Sequence, residues 1–561
     1  MNRFAHRAVL LASCSAVAFT SLVTAAQATP ADDAARDARI ARLEAAVAAL
    51  QGVAAENQQL QQQNAELKGE VDQLNAQVTD LKATTITQLS DVRTAEDKQP
   101  TLTFPGGRPS FASADGKFTV SVRGQLQLDT AAYFQDAAGP ITTDLRRDGP
   151  ALGSSSTNVD AAHARHLKDG TLWRRARVGF EGTAYGDWDY RMLFDFGGSG
   201  VENAGQVYEA WAQYSGLKPF RLRAGAWSQP IGLEDQMSTN AQLFLERPGM
   251  ADVARGLAAG DTRIGAGAFG YDNVWFLSAD VTGRTIGAIN TGTVITASSV
   301  PFSGNLGTPQ TYSDQLGFVG RAVATPLHGD DWRLNIGVHG SYEKPGNTSG
   351  PDATGVVAVK AFSVRLRDTA ELRVDGTQFI DTGSIPAHDA GTIGGEFAVQ
   401  KGPLFAEAEY ETIFVSRSDG LPSPSFSGWY VEGAWVPTGE SRAYNASTAA
   451  FDGPPVAHPF SLKNGGWGAW ELAARYSDAD LNFRAGLPGA APAADAIRGG
   501  DQRVWAIGLN WYPNPVFHFM LDFDHVDISR LSPSGANFLT PEGAQIGQSY
   551  NVVALRSQAA F

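Results

Sequence analysis

Arginine is the residue in this sequence with the clearest potential for chemistry. The 561-residue chain has 34 arginines against 10 lysines, and arginine often recurs at every second position, as in Arg175 and Arg177 or Arg221 and Arg223. The guanidinium group stays charged and presents a rigid fork of hydrogen-bond donors that matches oxyanions. Side chains two residues apart lie on the same face of a β-strand. Strands with this pattern would therefore present rows of anion-binding groups.

The other reactive residues form no catalytic or metal-binding pattern. His163 and His166 make a His-x-x-His pair, but no carboxylate or cysteine completes a ligand set, so we interpret them as solvated loop residues. No nucleophile motif stands beside the scattered histidines, and no glycine-rich phosphate loop follows a strand. Nothing suggests nucleic-acid binding. We therefore predict a protein that is not an enzyme and has no metal site, no cofactor and no nucleic-acid partner.

The elements that carry the arginines have a period of two. In 117–130 and 188–196 apolar residues alternate with polar and charged ones, and many runs end in aromatic residues. This pattern is typical of strands that face lipid on one side and water on the other. The sequence thus predicts an all-β transmembrane barrel of about 16 antiparallel strands. The predicted strands are 117–130, 171–183, 188–196, 206–215, 219–227, 262–270, 273–282, 315–324, 331–342, 391–401, 403–415, 427–437, 468–478, 503–512, 516–527 and 549–561.

The connections between these strands alternate in length. Short turns such as 185–187 and 513–515 are followed by long segments such as 228–261 and 343–390. Outer-membrane barrels have short periplasmic turns and long external loops in this order. The connection at 438–467 departs from the pattern, because it is long on the side where short turns belong. The last strand ends on Phe561, which resembles the assembly signal of bacterial outer-membrane barrels.

The N-terminus predicts export from the cytoplasm. A basic start, the apolar run 8–23 and the small-x-small sequence at 26–28 indicate that residues 1–28 are a signal peptide. Cys14 lies within the apolar run, which argues against lipidation there. Beyond the signal there is no apolar run of about 18 or more residues, so a membrane location requires a closed barrel. We expect the barrel in the outer membrane of a Gram-negative cell.

Residues 31–98 predict a periplasmic coiled coil. Seam residues from Ile40 to Asn57, most of them apolar, recur at alternating steps of three and four, and after a three-residue slip the pattern resumes from Leu60 to Leu81. A lone amphipathic helix is unstable in water, so we expect three copies to join as a homotrimer. The predicted linker covers 99–116, and the barrel domain covers 117–561.

The polar faces of the strands predict the chemistry of the lumen. Eleven arginines alternate onto the inward face: Arg123, Arg175, Arg177, Arg191, Arg221, Arg223, Arg263, Arg321, Arg333, Arg475 and Arg556. The predicted inward acids include Asp129, Glu181, Asp189, Asp195, Glu209, Glu471, Asp522 and Asp524. The arginines favour an anion-preferring pore, but weak selectivity and cation preference stay open because paired charges can simply brace the wall. The net charge of −15 decides little, since selectivity is set at the constriction.

Several stretches resemble the phosphate-selective porin O/P family. They include WRRARVGFEG at 173–182, QPIGLE at 229–234, FLER at 244–247, ELRVDGT at 371–377 and GAWELAARYS at 468–477. GLNWYPNP at 508–515 and LRSQAAF at 555–561 match as well, so the resemblance spans the whole barrel. It implies a trimeric barrel of sixteen strands, in which the third and fifth external loops and one long periplasmic turn fold inward.

The resemblance also implies a basic ladder toward the constriction. Arg365, Arg367 and Arg373, in the long loop 343–390, would join Arg123, Arg174 and Arg175. The strand alternation places Arg174 outward, so the two arguments disagree at this residue. The full set of predicted pore-lining, anion-binding residues is Arg123, Arg174, Arg175, Arg177, Arg247, Arg365, Arg367, Arg373 and Arg475.

One departure from the family bears on the solute. Phosphate-specific members add lysine at the narrowest point, whereas the loop 228–261 contains none and offers Arg247 and Arg255, with Arg263 just beyond. The sequence therefore predicts an outer-membrane diffusion porin for small hydrophilic solutes with a preference for anions, among which phosphate or polyphosphate is open. The partners are outer-membrane lipid and small anions. The alternatives are a non-selective general porin and an envelope tether, in which the coil does the work and the barrel is its anchor.

Overall fold

The fold was analysed in a computed structural model of the chain. It describes residues 30–96, 99–135, 167–198, 205–257, 262–286, 316–329, 332–344, 363–533 and 542–561. The predicted signal peptide at 1–28 and the His163/His166 pair lie outside the described residues. The chain divides into two compact units, Met1–Asp97 and Lys98–Phe561.

The first unit contains one helix, α1, at Pro30–Glu96. The apolar residues of the predicted seam are exposed along it; Leu43, Leu50 and Leu81 are 60%, 67% and 69% exposed. The structure thus confirms a long helix with an apolar stripe, while the coiled coil itself stays a prediction. Among the described residues, no helix is both long enough and apolar enough to cross a membrane.

The second unit is a closed barrel of sixteen antiparallel strands, as predicted. Consecutive strands pair, and β16 returns to β1 with Ala560 opposite Gln125 and Tyr550 opposite Gln135. The strands are β1 Thr119–Gln135, β2 Gly170–Ala184, β3 Trp188–Asp195, β4 Gln206–Tyr214, β5 Phe220–Trp227, β6 Arg263–Tyr271, β7 Trp275–Thr285, β8 Leu316–His328, β9 Trp332–Lys344, β10 Ile385–Lys401, β11 Leu404–Arg417, β12 Ser425–Trp435, β13 Ala469–Phe483, β14 Ile497–Tyr512, β15 Phe517–Ser529 and β16 Ser549–Ala560.

A short hairpin precedes the barrel in the segment predicted to be a linker. Thr101–Thr103 pairs with Ser110–Ala112, which in turn pairs with the first residues of β1. The segment 99–116 therefore extends the sheet at the end where the short turns lie. It was predicted as a simple connection because its strands are only three residues long.

The outer surface of the barrel is apolar and ends in aromatic residues. Outward side chains such as Val338 and Ile393 are 61% and 62% exposed, although they are large and apolar. Aromatic pairs line the short-turn end, among them Trp188 with Tyr214 and Trp470 with Trp511. A closed sheet satisfies its own backbone hydrogen bonds, and such an apolar band with an aromatic border suits a bilayer.

Three segments fold into the barrel. We call 228–257 the first inserted loop, 363–384 the second inserted loop and 436–468 the long turn. The first inserted loop contains two short helices, α2 Leu233–Gln236 and α3 Gly249–Arg255. Its apolar residues pack with the long turn and with the wall in one buried cluster: Leu233, Met237, Ala241, Leu243, Phe244, Ala398, Phe405, Ala434, Ala450, Phe451, Ala473 and Ala506.

The second inserted loop packs in the same way. Leu372 and Phe379 belong to one buried cluster with Val504, Met520 and neighbouring inward residues of the wall. The inward folding that the family resemblance implied is thus confirmed for both loops and for the long turn. The turn is long because it fills the lumen, which explains the exception at 438–467. The three segments leave open space beside the strands β1–β7, and this space contains the candidate site.

Candidate functional site: an arginine-lined cavity

A cavity of about 490 Å³ lies beside the inner wall formed by β1–β7. Its other sides are formed by the first inserted loop, through residues such as Ser238 and Asn240, and by the long turn, through Asn445 and Thr448. The loop is fixed to the wall because Gln125 Nε2 donates to Asn240 Oδ1 at 2.6 Å. The cavity is therefore bounded by one rigid wall and two segments that are themselves packed in place.

Positive charge predominates among the described residues that line this cavity. Seven lining residues are arginines: Arg123, Arg177, Arg191, Arg221, Arg223, Arg247 and Arg255. Four are carboxylates: Glu209, Asp235, Asp280 and Asp452. Because the cavity is narrow and its wall has a low dielectric constant, the excess of arginine attracts anions.

Some of these arginines are paired with acids of the wall. Arg177 Nε lies 2.7 Å from Asp195 Oδ2. Arg191 contacts both Glu181, at 2.7 Å, and Glu209, at 3.0 Å. Such pairs hold the guanidinium groups in fixed positions, as expected if paired charges brace the wall. Their charge is partly cancelled before an ion arrives.

Arg221 and Arg223 differ from the paired arginines. Arg223 donates two hydrogen bonds to Gln213 Oε1, at 3.0 and 2.7 Å, and its guanidinium carbon lies 4.2 Å from the centre of the Trp211 ring. Arg221 donates to a backbone carbonyl at 2.8 Å and lies 3.8 Å over the Tyr271 ring. In the described part of the chain neither has a carboxylate within 4.0 Å. Neutral and aromatic partners therefore orient these charges, and the acids around Arg223, of which Glu209 has the largest effect, act on it only from beyond 4.0 Å.

The first inserted loop contributes Arg247 and Arg255 from its own charge network. Arg255 Nε lies 2.7 Å from Asp235 Oδ1. Arg247 lies 3.9 Å from the same oxygen and donates to the backbone carbonyl of Glu234 at 3.4 Å. Asp235 thus joins α2 to α3, and the loop presents its arginines to the cavity as one unit.

A second group of arginines meets at Glu246, in the first inserted loop. Arg174 contacts Glu246 at 2.5 Å, Arg556 at 3.1 Å and Arg373 at 3.5 Å. Burial alone would raise the pKa of Glu246, but these arginines, Arg174 above all, hold that pKa well below its ordinary value. Arg373 also pairs with Asp252 at 2.5 Å. The structure thus brings Arg174 and Arg373 together, but around acids and outside the lining of the cavity.

Arg174 corrects the rule of strict alternation. In the pairing of β1 with β2, Gln127 lies opposite Arg175 and Leu128 lies opposite Trp173, so Arg174 is an extra residue in a β-bulge. Its side chain therefore turns inward beside that of Arg175, which is buried and donates to Gln127 at 2.6 Å. The alternation was wrong about the direction of this side chain, whereas the place of Arg174 in an anion ladder, which the family resemblance implies, stays a prediction.

The remaining predicted residues lie elsewhere. Arg365 forms a two-pronged pair with Asp381, at 2.9 and 2.5 Å, within the second inserted loop. Arg367 is exposed in the same loop, and no side-chain hydrogen bond joins it to another described residue. Arg475 is buried against Glu371 at 2.6 Å. Of the nine predicted residues, Arg123, Arg177 and Arg247 line the cavity.

The sequence analysis missed the acidic side of the lumen. Glu407, Glu409 and Glu411 alternate along β11, and all three are buried inside the barrel. The period-two pattern of the predicted strand 403–415 places all three on its inward face and could have identified them. Glu409 accepts the backbone N–H of Glu234 at 3.1 Å, so this acidic strand holds the first inserted loop.

The model of the family described as phosphate-selective porin O and P matches residues 152–552. This chain belongs to that family. Porin O of Pseudomonas aeruginosa is 26% identical over 433 residues, which cover 73% of this chain and 83% of the relative. An uncharacterized protein of Caulobacter vibrioides is 23% identical over 458 residues, 80% of this chain and 77% of the relative. Among solved structures, an anion-selective porin from Comamonas acidovorans is 12% identical with a TM-score of 0.42, covering 79% of this chain and all of the other.

Membership confirms the central prediction from the sequence. The protein is an outer-membrane channel of a porin family described as phosphate-selective, with its barrel in contact with lipid. The family and the barrel indicate a channel rather than an enzyme. They also favour a porin over an envelope tether in which the barrel is only an anchor.

Proposed function

We propose that this porin is a homotrimeric diffusion channel that prefers anions over cations across a broad range of small hydrophilic solutes. The observation that carries the proposal is the pair Arg221 and Arg223, whose charges meet no carboxylate within 4.0 Å among the described residues. They line a cavity in which arginines outnumber carboxylates by seven to four. An anion in the cavity gains from this excess, and a cation loses by the same amount.

Phosphate belongs to the proposed range of solutes, together with other oxyanions. Guanidinium groups match phosphate and carboxylate oxygens in pairs, and the cavity presents them in rows. The first inserted loop contains no lysine, the residue that the family resemblance implies at the constriction of phosphate-specific members. We therefore propose a general anion preference that includes phosphate or polyphosphate, without strict specificity for either.

The predicted arginine ladder fits this proposal in two parts. Arg123, Arg177 and Arg247 line the cavity and belong to the anion path. Arg174 and Arg175 lie with Arg373 in the cluster around Glu246. There these arginines fix the position of the first inserted loop, and they contribute less to the charge that a permeating ion meets. Arg475 and Arg365 are paired with acids and serve the same end.

Residues 31–98 are proposed to form the trimeric coil. The seam of α1 leaves large apolar side chains at 42–69% exposure in the single chain, and burial against two further helices removes this cost. Three coils bound to three barrels give a closed symmetric assembly. A synthetic peptide of residues 31–98 should sediment as a trimer at micromolar concentration, and a monomer at high micromolar concentration would contradict the proposal.

The reversal potential of the purified porin in a planar bilayer tests the selectivity. In a tenfold gradient of potassium chloride the sign of the potential should show that chloride permeates better than potassium. Phosphate added to both sides should lower the chloride conductance, because both anions occupy the same arginines. A potential that favours potassium would overturn the proposal and leave a general porin with a braced wall.

A further inference from the structure

Three glutamates meet inside the barrel where the first inserted loop begins. Glu234 comes from α2, Glu407 from β11 and Glu432 from β12. They are 2%, 0% and 2% exposed, and one oxygen from each lies within 4.8 Å of the other two. Three carboxylates this close in a dry interior repel one another, so they require shared protons or a cation.

Each of these glutamates also has a buried oxygen without a hydrogen-bond partner among the described residues. The atoms are Glu234 Oε2, Glu407 Oε2 and Glu432 Oε1. Other oxygens are satisfied, since Gln242 donates to Glu234 Oε1 at 3.0 Å and the Tyr430 hydroxyl donates to Glu407 Oε1 at 3.0 Å. Buried polar atoms in folded proteins nearly always have partners. Because three such carboxylate oxygens lie in one place, a single bound cation could satisfy all of them together.

Among the described residues one arginine forms an ion pair with the group, while Arg442 and Arg247 act on it from beyond 4.0 Å. Arg475 Nη1 lies 3.6 Å from Glu432 Oε2. Arg247 donates to the backbone carbonyl of Glu234 and not to its carboxylate. In the described part of the chain no basic side chain lies within 4.0 Å of the carboxylates of Glu234 and Glu407. Ionised, the three acids keep a net negative charge.

We propose that Glu234, Glu407 and Glu432 bind one calcium ion. One oxygen from each carboxylate lies within 4.8 Å of the other two, so all three can reach a single ion. Calcium takes hard oxygen ligands at about 2.4 Å in flexible geometries. Magnesium requires a near-ideal octahedron and keeps several waters, which suits three carboxylates from a helix and two strands less well. The sequence analysis predicted no metal site. These three ligands form no recognisable sequence motif, because they are separated by up to 198 residues.

The ion would fix the first inserted loop to the wall. Glu234 lies in α2, and the following residues Asp235, Gln236 and Met237 line the arginine-rich cavity. The other two ligands lie on neighbouring strands of the wall, where Ala408 pairs with Val431. Calcium binding therefore holds one side of the cavity, and its removal should loosen the loop while the barrel stays closed.

Calcium binding to the purified full-length porin in detergent tests the proposal. After treatment with EGTA, the wild-type protein should bind one calcium ion per chain by isothermal titration calorimetry, with a dissociation constant between about 0.1 and 1 mM, the range of extracellular sites. Glu407→Gln and Glu432→Gln should weaken binding tenfold or more. Glu411→Gln is the matched control, because Glu411 lies on β11 with the same inward orientation but outside the trio. It should bind as the wild type does.

A second measurement covers variants that fail to fold. Crystals of the wild-type porin soaked in calcium should show an anomalous peak among the three carboxylates. Absence of calcium binding up to about 10 mM, or a peak elsewhere, would overturn the proposal in favour of shared protons. Unchanged affinity in folded Glu407→Gln or Glu432→Gln protein would do the same.

Discussion

Replacing Arg221 and Arg223 together by alanine is expected to reduce the anion preference of this porin more than any other exchange of two charges on the cavity wall. Both residues lie on β5 and line the cavity. Their contacts are with a neutral amide, a backbone carbonyl and aromatic rings. In the described part of the chain neither arginine forms an ion pair within 4.0 Å, so removing both breaks no ion pair and the barrel should keep its structure.

The size of the effect follows from the size of the cavity. A sphere of 490 Å³ has a radius of about 5 Å, and the atoms of the wall lie about 3 Å beyond this space, so an ion at its centre lies about 8 Å from a charge on the wall. One charge at this distance changes the energy of a monovalent ion by about 0.5 kcal/mol in water, or about 0.2 kcal/mol with a screening length of about 8 Å. Two charges act oppositely on anions and cations, which together comes to about 0.8 kcal/mol. The permeability ratio should therefore fall about fourfold.

The assay is the reversal potential in a salt gradient, with single-channel conductance measured in parallel. Arg503→Ala is the matched control, because Arg503 is 53% exposed on the outer face of β14, where it contacts Asp478 and Asp501. It should leave the permeability ratio unchanged. A change of less than about twofold in the double variant would refute the reasoning, since it would mean that permeating ions do not approach these arginines.

Three further predictions concern stability and the loops. Glu246→Gln should lower the free energy of unfolding in urea by about 3 kcal/mol, because it leaves the buried charge of Arg174 without its partner; a loss below about 1 kcal/mol would show that water reaches this cluster. Ile393→Arg should cost about 2–4 kcal/mol in lipid vesicles, because Ile393 is 62% exposed on the outer face; Ile393→Ala is the control for size, and equal losses in the two variants would argue that this face does not contact lipid. Partial burial raises the pKa of Asp381, but the guanidinium of Arg365 outweighs it and holds that pKa below its ordinary value. The contact therefore stabilises the second inserted loop at any pH above the ordinary pKa of an aspartate. This stabilisation is lost as the pH falls through the lowered pKa. Proteolysis of this loop should therefore increase only in strong acid, and Asp381→Asn should remove the dependence; protection unchanged down to pH about 2 in the wild type would contradict it.

The sequence determined the strands and the direction of most side chains. A wall that separates lipid from water requires one apolar and one polar residue in each pair of positions, and this requirement is local. It located all sixteen strands with every end within six residues, from the predicted 206–215 against the observed Gln206–Tyr214 to the predicted 391–401 against the observed Ile385–Lys401. It also placed Arg221 and Arg223 of β5 on the inward face, because the alternation of apolar and polar residues can be seen within a single strand.

Tertiary structure decided which charges remain for an ion. Arg174 turns inward because of a bulge that depends on the pairing of two strands, and no property of one strand reveals it. Arg556 meets Glu246 across 310 positions of sequence, and Leu233 meets Glu409 across 176. Charges in a lumen are cancelled or left free by partners brought in on loops. Local periodicity specifies which way a side chain points, and only the closed barrel with its inserted loops specifies what it meets there.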